Sequence, residues 1–243
     1  MNKNIIAIAI ASLGFVIGLG ILGNAIKNRN KSENTISVTG LGTKKFTSDL
    51  ITWNGSFSRN DFELKTAYDE LLNDRKVIEN YLISKGIPKN ELVFSAVDIQ
   101  KQFNYVSDSN GSSHQTFAGY QLTQSISLES KDVAKIENLS RNITEIINLG
   151  IVFTSSKPNY FYTKLAEVKQ EMIANATQEA KERAEKIAAN AASSLGNLKK
   201  ATMGVIQITA PNSNEDFSYG GTYNTESKEK EASITIKLEY EVD

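Results

Sequence analysis

The chain contains no cysteine and a single histidine, His114. Without cysteine it can form no disulfide framework, no thiolate metal site and no lipid-modified anchor, and its redox compartment stays undetermined. One histidine also excludes most zinc sites, because these sites need several nitrogen or sulfur ligands. These absences remove disulfide-stapled domains, lipoproteins and most zinc proteins from the classes that the sequence could represent.

The polar part of the chain also lacks a surplus of basic residues. The first 31 residues hold four basic side chains and no acidic one, so 23 of the 27 Lys and Arg residues share the remainder with all 28 Asp and Glu residues. A surface that binds nucleic acid needs clustered positive charge to neutralise phosphates. We therefore expect no nucleic acid among the partners of this protein.

An uncharged apolar segment runs from Ile5 to Ile26 and is followed at once by Lys27, Arg29 and Lys31. About 20 apolar residues are what a helix needs to cross the hydrocarbon core of a bilayer. The membrane is thus the first expected partner, through an N-terminal helix. We predict four regions: a stub at 1–4, a transmembrane signal anchor at 5–26, a linker at 27–34 and a folded domain at 35–243.

A cleaved secretory signal is the alternative interpretation of this segment. Lys3 supplies a charged start, and Gly23 and Ala25 are small residues suited to a signal peptidase. The apolar core exceeds the roughly 7 to 15 residues of a signal peptide, which favours an uncleaved anchor. Both interpretations place the folded domain outside the cytoplasm, in the periplasm. The basic residues after the segment argue the other way, since positively charged flanks tend to remain cytoplasmic.

Two glycine motifs lie in the same segment. Gly18, Gly20 and Gly23 match a dinucleotide-binding string, but the strand, helix and later acidic residue of that unit are missing. Gly14 and Gly18 form a GxxxG pattern, which can let two membrane helices approach closely. We expect no cofactor, no metal and no catalytic residue in the chain.

Hydrophobic periodicity after residue 34 predicts helices that alternate with antiparallel hairpins. Helical spacing predicts one helix from Leu64 to Leu82 and another from Ser130 or Asp132 to Gly150. Asn60 and Glu63 have the form of a capping box for the first of these helices. Alternating and β-branched residues predict strands at 35–40, 46–58, 92–105, 117–128, from Ile151, at 201–209 and at 233–240. This order of elements predicts an α+β fold.

A third helix, predicted from about Lys164 to Leu195, carries a narrow stripe rich in alanine. Such a stripe lets neighbouring backbones pack closely. At about 1.5 Å per residue the helix would be about 45 to 50 Å long, which is longer than a small domain is wide. We therefore expect part of it to project or to pack against another subunit, so that the protein forms a homo-oligomer through this helix and its hairpin loops.

Few residues qualify as candidates for a chemical site. His114 lies in a polar hairpin loop, and the chain offers it no second histidine. Asp108, Asn110 and Gly111 resemble part of a calcium loop, but the ligand positions of an EF-hand fall on Val106 and Phe117. Neither group predicts a site.

Two aromatic clusters are candidates for packing or binding. The cluster at 160–162, Tyr-Phe-Tyr, is predicted to belong to the core. Phe217, Tyr219 and Tyr223 lie in a polar loop at 211–231 and could contact a partner. A mobile loop without a fixed role is the simpler prediction for that segment.

The order of these elements resembles that of the SIMPL domain, an exported bacterial domain of unclear function, over about residues 35–243. The resemblance rests on the opening strand at 35–42, the helix that ends before Gly86-Ile87-Pro88, the strand at 117–128, the helix start at 132–136, the Ala-rich helix at 181–196 and the alternating final strand. It implies an α+β fold in a cell-envelope or periplasmic protein. It also implies relatives that form large ring-shaped or channel-shaped oligomers, and it supplies no catalytic residues.

These observations predict a non-enzymatic, membrane-anchored cell-envelope protein that self-assembles through its extracytoplasmic domain. The alternative is a module that binds a small apolar ligand, lipid or peptide in the periplasm, and an enzyme is the third possibility. Another envelope protein is a further possible partner.

Overall fold

The structure, a computed structural model, describes residues 13–24, 34–107 and 113–242. Residues 13–24 form helix α1, and the rest of the predicted transmembrane helix at 5–26 lies outside the described residues. Within the described ranges, no helix is both long enough and apolar enough to cross a membrane.

The described part of the chain contains three further α-helices and ten strands. The helices are α2 (Leu64–Ser84), α3 (Val133–Asn142) and α4 (Leu165–Asn190). The strands are β1 (Thr35–Thr47), β2 (Leu50–Asp61), β3 (Val93–Phe94), β4 (Asp98–Ser107), β5 (Ser113–Ser130), β6 (Phe153–Ser155), β7 (Asn159–Phe161), β8 (Leu195–Met203), β9 (Gln207–Thr209) and β10 (Glu229–Val242). Helices on antiparallel sheets make the α+β fold that the sequence predicts.

The chain forms two compact units, and β1, α4 and β10 contribute residues to both. The described residues of Met1–Gly40, Thr177–Met203 and Ile236–Asp243 form the first unit. Leu41–Ala176 and Gly204–Thr235 form the second unit.

The first unit contains part of a four-stranded sheet and the C-terminal half of α4. Here β10 pairs antiparallel with β8, from Ile236 opposite Met203 to Val242 opposite Leu195. Ala180, Ala184 and Ala188 of α4 are buried. The guanidinium of Arg183 donates a 2.7 Å hydrogen bond to the carbonyl of Thr39, so this half of α4 is tied to β1.

The second unit is built around a six-stranded sheet. β2 and β5 pair antiparallel from Ile51 opposite Ser130 to Asp61 opposite Tyr120. β3 and β4 pair with the other side of β5, and β6 and β7 pair with the other side of β2. α2 and α3 cover one face of this sheet and bury Trp53, Phe57, Leu71, Leu122, Ile126 and Ile136 against each other.

A partly buried ion pair joins α2 to β2. The guanidinium of Arg59 donates two hydrogen bonds to the carboxylate of buried Asp74 and a third, of 3.0 Å, to the carbonyl of Gly150. The bidentate geometry satisfies both carboxylate oxygens of Asp74. This contact fixes the strand, the helix and the turn after α3 to one another.

α4 is shorter than predicted, and its alanine stripe is covered. The helix ends at Asn190, because Ala192 adopts a left-handed φ of 54° and the N–H of Ser193 bonds back to Ala188. Leu195, predicted as the end of the helix, is the first residue of β8 instead. The stripe of buried alanines faces the interior of this chain. These alanines are therefore packed within this chain, and the association of α4 with another subunit stays a prediction.

Two other local predictions differ from the structure. α2 begins at Leu64 without a side-chain cap, and Asn60 belongs to β2, opposite Gln121. Strand pairing has overridden the capping-box pattern. The strand predicted at 92–105 is split into β3 and β4, because Ser95 leaves the ladder and exchanges bonds with Ser125 and Gln124.

Candidate functional site

A cleft of about 860 Å³ lies on the outer face of β1 and β10 in the second unit. Its floor includes Leu41 and Thr43 from β1 and Ser233 and Thr235 from β10. These residues alternate with buried ones such as Ile234. The floor is thus the solvent face of two strands whose other face is buried, and the segment after β9 forms the wall.

Buried Gln207 of β9 fastens this wall. Its side-chain N–H₂ donates to the carbonyls of Ser218, at 2.8 Å, and Val205, at 3.4 Å. Its side-chain oxygen accepts from the backbone N–H groups of Ser218, at 3.2 Å, and Thr222, at 2.9 Å. The amide therefore uses both donors and both acceptor sites on the wall and the strand.

Backbone bonds continue the attachment of the wall to β9. Ile208 donates to the carbonyl of Thr222 and accepts from the N–H of Asn224, each at 2.8 Å. The side chain of Asn224 then donates to Glu215 and accepts from the N–H of Ser227. These bonds attach Thr222 and Asn224 to β9 and connect Asn224 to Glu215 and Ser227 within the wall.

A second buried polar side chain, Lys230 of β10, holds the end of this segment. Its ammonium donates to the carbonyls of Asn224 and, at 2.7 Å, Ser227, and it lies 5.6 Å from the ring centroid of Tyr223. Burial lowers the pKa of Lys230 to about 8. A lysine with a lowered pKa can be a nucleophile, but Lys230 does not line the cleft and its bonds go to the wall.

The three aromatic residues of the segment have different positions. Tyr219 is fully exposed and Phe217 is 69% exposed, and both line the cleft. The Tyr223 ring instead lies 6.3 Å from that of Phe161, and its hydroxyl accepts from the N–H of Tyr162 at 3.3 Å. The mobile loop that the sequence favours stays a prediction, and Gln207 and Lys230 give this segment two buried anchors.

The cleft is apolar with an acidic component. Leu41, Val205 and Phe217 expose much of their side chains beside it. Glu215 and Glu231 are its charged residues, and among the described residues that line it none is Lys, Arg or His. The carboxylate of Glu231 lies 3.8 Å from the ammonium of Lys45.

A second exposed surface lies on the hairpin of β4 and β5, at some distance along the chain from the cleft residues. Phe117 contacts Phe103 and Phe62 edge to face, with ring centroids 6.0 and 6.3 Å apart. Tyr105 lies two residues beyond Phe103 and is 74% exposed. We refer to Phe62, Phe103, Tyr105 and Phe117 as the aromatic hairpin surface. β4 pairs only with β5 within the described chain.

A bulge shapes this hairpin. Gln102 lies opposite Gly119, whereas Phe103 lies opposite Phe117, so β5 has one extra residue. Gly119 has a φ of 121°, and a Cβ there would lie 2.8 Å from the carbonyl oxygen of Asp61. The bulge thus requires glycine, and it places Phe103 and Phe117 directly across from each other.

The other candidates from the sequence are not brought together. His114 is an exposed residue of β5 opposite Val106, and 108–112, which holds the calcium-loop candidates, lies outside the described residues. In the ranges that are described, no group of three or more His, Asp or Glu residues is arranged to hold a metal.

The aromatic cluster at 160–162 is divided. Tyr160 packs against the core and donates a 2.9 Å hydrogen bond to Glu137, and burial and this carboxylate raise its pKa to about 12. Tyr162 contacts Phe46, with ring centroids 4.7 Å apart. The prediction of a core cluster is therefore confirmed for Tyr160.

The sequence contained a signal for one of the two anchors. Lys230 is in phase with the buried positions of β10, Ala232, Ile234, Ile236, Leu238 and Tyr240, so alternation alone places it inward. Gln207 lies in a strand of three residues, which is too short to show a period.

Comparison with known proteins assigns the family. The family model SIMPL, described as a protein of unknown function (DUF541), matches residues 36–241. No curated protein matches the chain. Since the matched range includes every strand from β2 to β9 and most of β1 and β10, the chain belongs to the SIMPL family.

Proposed function

We propose that the chain is a non-enzymatic, membrane-anchored envelope protein whose extracytoplasmic domain assembles into homo-oligomers. The uncharged segment at 5–26 supports the anchor by its length. The aromatic hairpin surface is the main support for self-assembly. It combines exposed rings with a strand edge of β4 that is unpaired in the described chain.

The exposure of these rings favours an interface. Phe62 is 66% exposed and is linked through Phe117 to Phe103 by ring contacts, and Tyr105, two residues from Phe103 on β4, is 74% exposed. Aromatic residues are enriched in protein interfaces, and large exposed apolar patches mark interaction sites. An open strand edge can pair with the same edge of a second copy. Pairing of two hairpins would therefore cover the exposed rings and the open edge of β4 together.

The natural absence of cysteine allows a direct test of assembly. In full-length protein in its own membranes, Tyr105→Cys places a single thiol on the surface, and mild oxidation should give a disulfide-linked dimer. The control is Lys76→Cys, which places the thiol at an exposed position of α2. This variant should stay monomeric. A monomer with Tyr105→Cys under these conditions, or equal cross-linking of both variants, would contradict assembly through the hairpin.

The anchor and its orientation need a separate measurement. Protease added to intact cells with a permeabilised outer envelope should digest the folded domain while leaving a cytoplasmic marker intact. Full protection of the domain, or release of the full-length chain from membranes by salt alone, would contradict an anchored extracytoplasmic domain.

A second candidate function is the binding of a small apolar ligand in the cleft. The anchored wall favours it, because a pocket that is formed before binding costs less ordering on binding. Its volume of about 860 Å³ falls within the range of about 300 to 1,000 Å³ that is usual for ligand sites. A ligand that binds only the folded state should raise the Tm in a screen of small amphiphiles, and a flat screen would contradict this function.

A further inference from the structure

We infer that the ligand of the cleft is an organic cation that carries an aromatic or aliphatic body. This inference rests on the second proposed function, the binding of a small molecule in the cleft, and names the chemical class of that molecule.

The body of the ligand follows from the apolar lining. Leu41 and Val205 are about half exposed, and Phe217 is 69% exposed. Burial of apolar surface contributes about 25 cal/mol per Å² removed from water. An apolar group is thus the part of a ligand that gains most from entering the cleft.

The charge of the ligand follows from the carboxylates. Glu215 and Glu231 line the cleft without a basic neighbour among the described lining residues. Lys45, the partner of Glu231, is 3.8 Å away and mostly exposed. Glu215 also interacts electrostatically with the ammonium of Lys230, which already donates a hydrogen bond to the wall. A cation gains from both carboxylates, whereas an anion meets two like charges and finds no basic side chain among the described lining residues.

The exposed aromatic rings also favour a cationic ligand. Tyr219 and Phe217 project beside the cleft from a segment that Gln207 holds in place. The face of an aromatic ring attracts ammonium and guanidinium groups. Carboxylate and ring together therefore favour an ammonium on an apolar body over the neutral or anionic counterpart.

Three probes of similar size test this inference on the full-length chain in micelles of the non-ionic detergent dodecyl maltoside, with empty micelles subtracted. They are benzyltrimethylammonium, benzyl alcohol and p-toluenesulfonate, titrated at low salt and followed by NMR. We expect the cation to bind about 3- to 10-fold more tightly than benzyl alcohol. The sulfonate should show no saturable binding.

Variants locate the binding. Glu231→Gln and Tyr219→Ala should each weaken the cation severalfold, and Glu231→Gln should leave the affinity for benzyl alcohol unchanged. Glu226→Gln is the matched control, because Glu226 is an exposed residue of the same polar segment that does not line the cleft. It should bind the cation as the natural chain does.

The outcomes distinguish a failure of the cationic ligand class from a failure of the cleft as a ligand site. Equal affinities for the cation and benzyl alcohol, both weakened by Tyr219→Ala, would overturn the cationic class and leave the cleft as a ligand site. Binding of no probe, or binding unaffected by both cleft variants, would overturn the cleft itself and with it the second proposed function.

Discussion

The close contact between β1 and α4 in the second unit makes Gly42→Ala the sharpest test of the fold. A Cβ at Gly42 would lie 2.2 Å from the backbone oxygen of Met172 and 3.1 Å from the Cβ of Ala176. Non-bonded carbon atoms pack at about 3.5 Å or more. Because the nearest atom is helix backbone, no side-chain rotation can relieve the clash, and strand and helix must separate by about 1 Å.

The expected loss of stability is large for one methyl group. Overpacking of a well-packed interior costs about 1 to 3 kcal/mol, and a backbone clash belongs near the upper end of that range. For a domain of this size, about 1 kcal/mol changes the Tm by about 2 to 4 °C. We therefore expect Gly42→Ala to lower the Tm by about 6 to 12 °C.

Thermal unfolding followed by circular dichroism measures this effect, with Gly220→Ala as the control. The nearest heavy atom to a Cβ at Gly220 is the hydroxyl of Ser218, 3.9 Å away, so this variant adds a methyl group without a clash. It should change the Tm by less than about 2 °C. If the two variants had the same Tm, the close packing of β1 on α4 would be refuted.

Three further predictions concern the buried polar groups. Asp74→Ala should lower the free energy of unfolding in urea by about 2 kcal/mol, because Arg59 loses two charge-assisted hydrogen bonds while its partly exposed guanidinium gains water, and a loss below about 0.5 kcal/mol would contradict this ion pair. Gln207→Leu should speed proteolysis at 211–222, since the N–H of Thr222 and both backbone groups of Ser218 lose their partner; unchanged cleavage would show that the wall is held by other bonds. Burial lowers the pKa of Lys230 from 10.5 to about 8, so between these values the unfolded chain binds the extra proton and stability should rise with pH relative to Lys230→Met. A difference in unfolding free energy between the two proteins that stays constant from pH 7 to about 10.5 would contradict a buried, destabilised ammonium.

The parts of the fold that were predictable are those in which local and long-range preferences agree. The final strand alternates between buried and exposed residues as its sequence does. Asp132 caps α3 by accepting from the N–H of Lys135 at 3.1 Å, and Gly150 ends the turn that follows with a φ of 76°. In each case the signal lies within a few residues of the feature.

The parts that were missed depend on distant residues. Asn60 and Glu63 have the pattern of a helix cap, but the ladder with β5 extends through Asp61 and keeps this segment extended. The alanine stripe of α4 indicates close packing and does not indicate whether the partner lies in the same chain. The cleft wall depends on a buried glutamine and a buried lysine, two residue types that are usually exposed.

The wall separates the residues that anchor it from the residues that it displays. Gln207, Asn224 and Lys230 make the anchoring bonds, whereas Phe217 and Tyr219 project into solvent. Positions 217 and 219 are therefore suited to randomisation in a library, because neither side chain supports the framework. Two side chains can therefore change the surface of the cleft while the surrounding scaffold keeps its sequence.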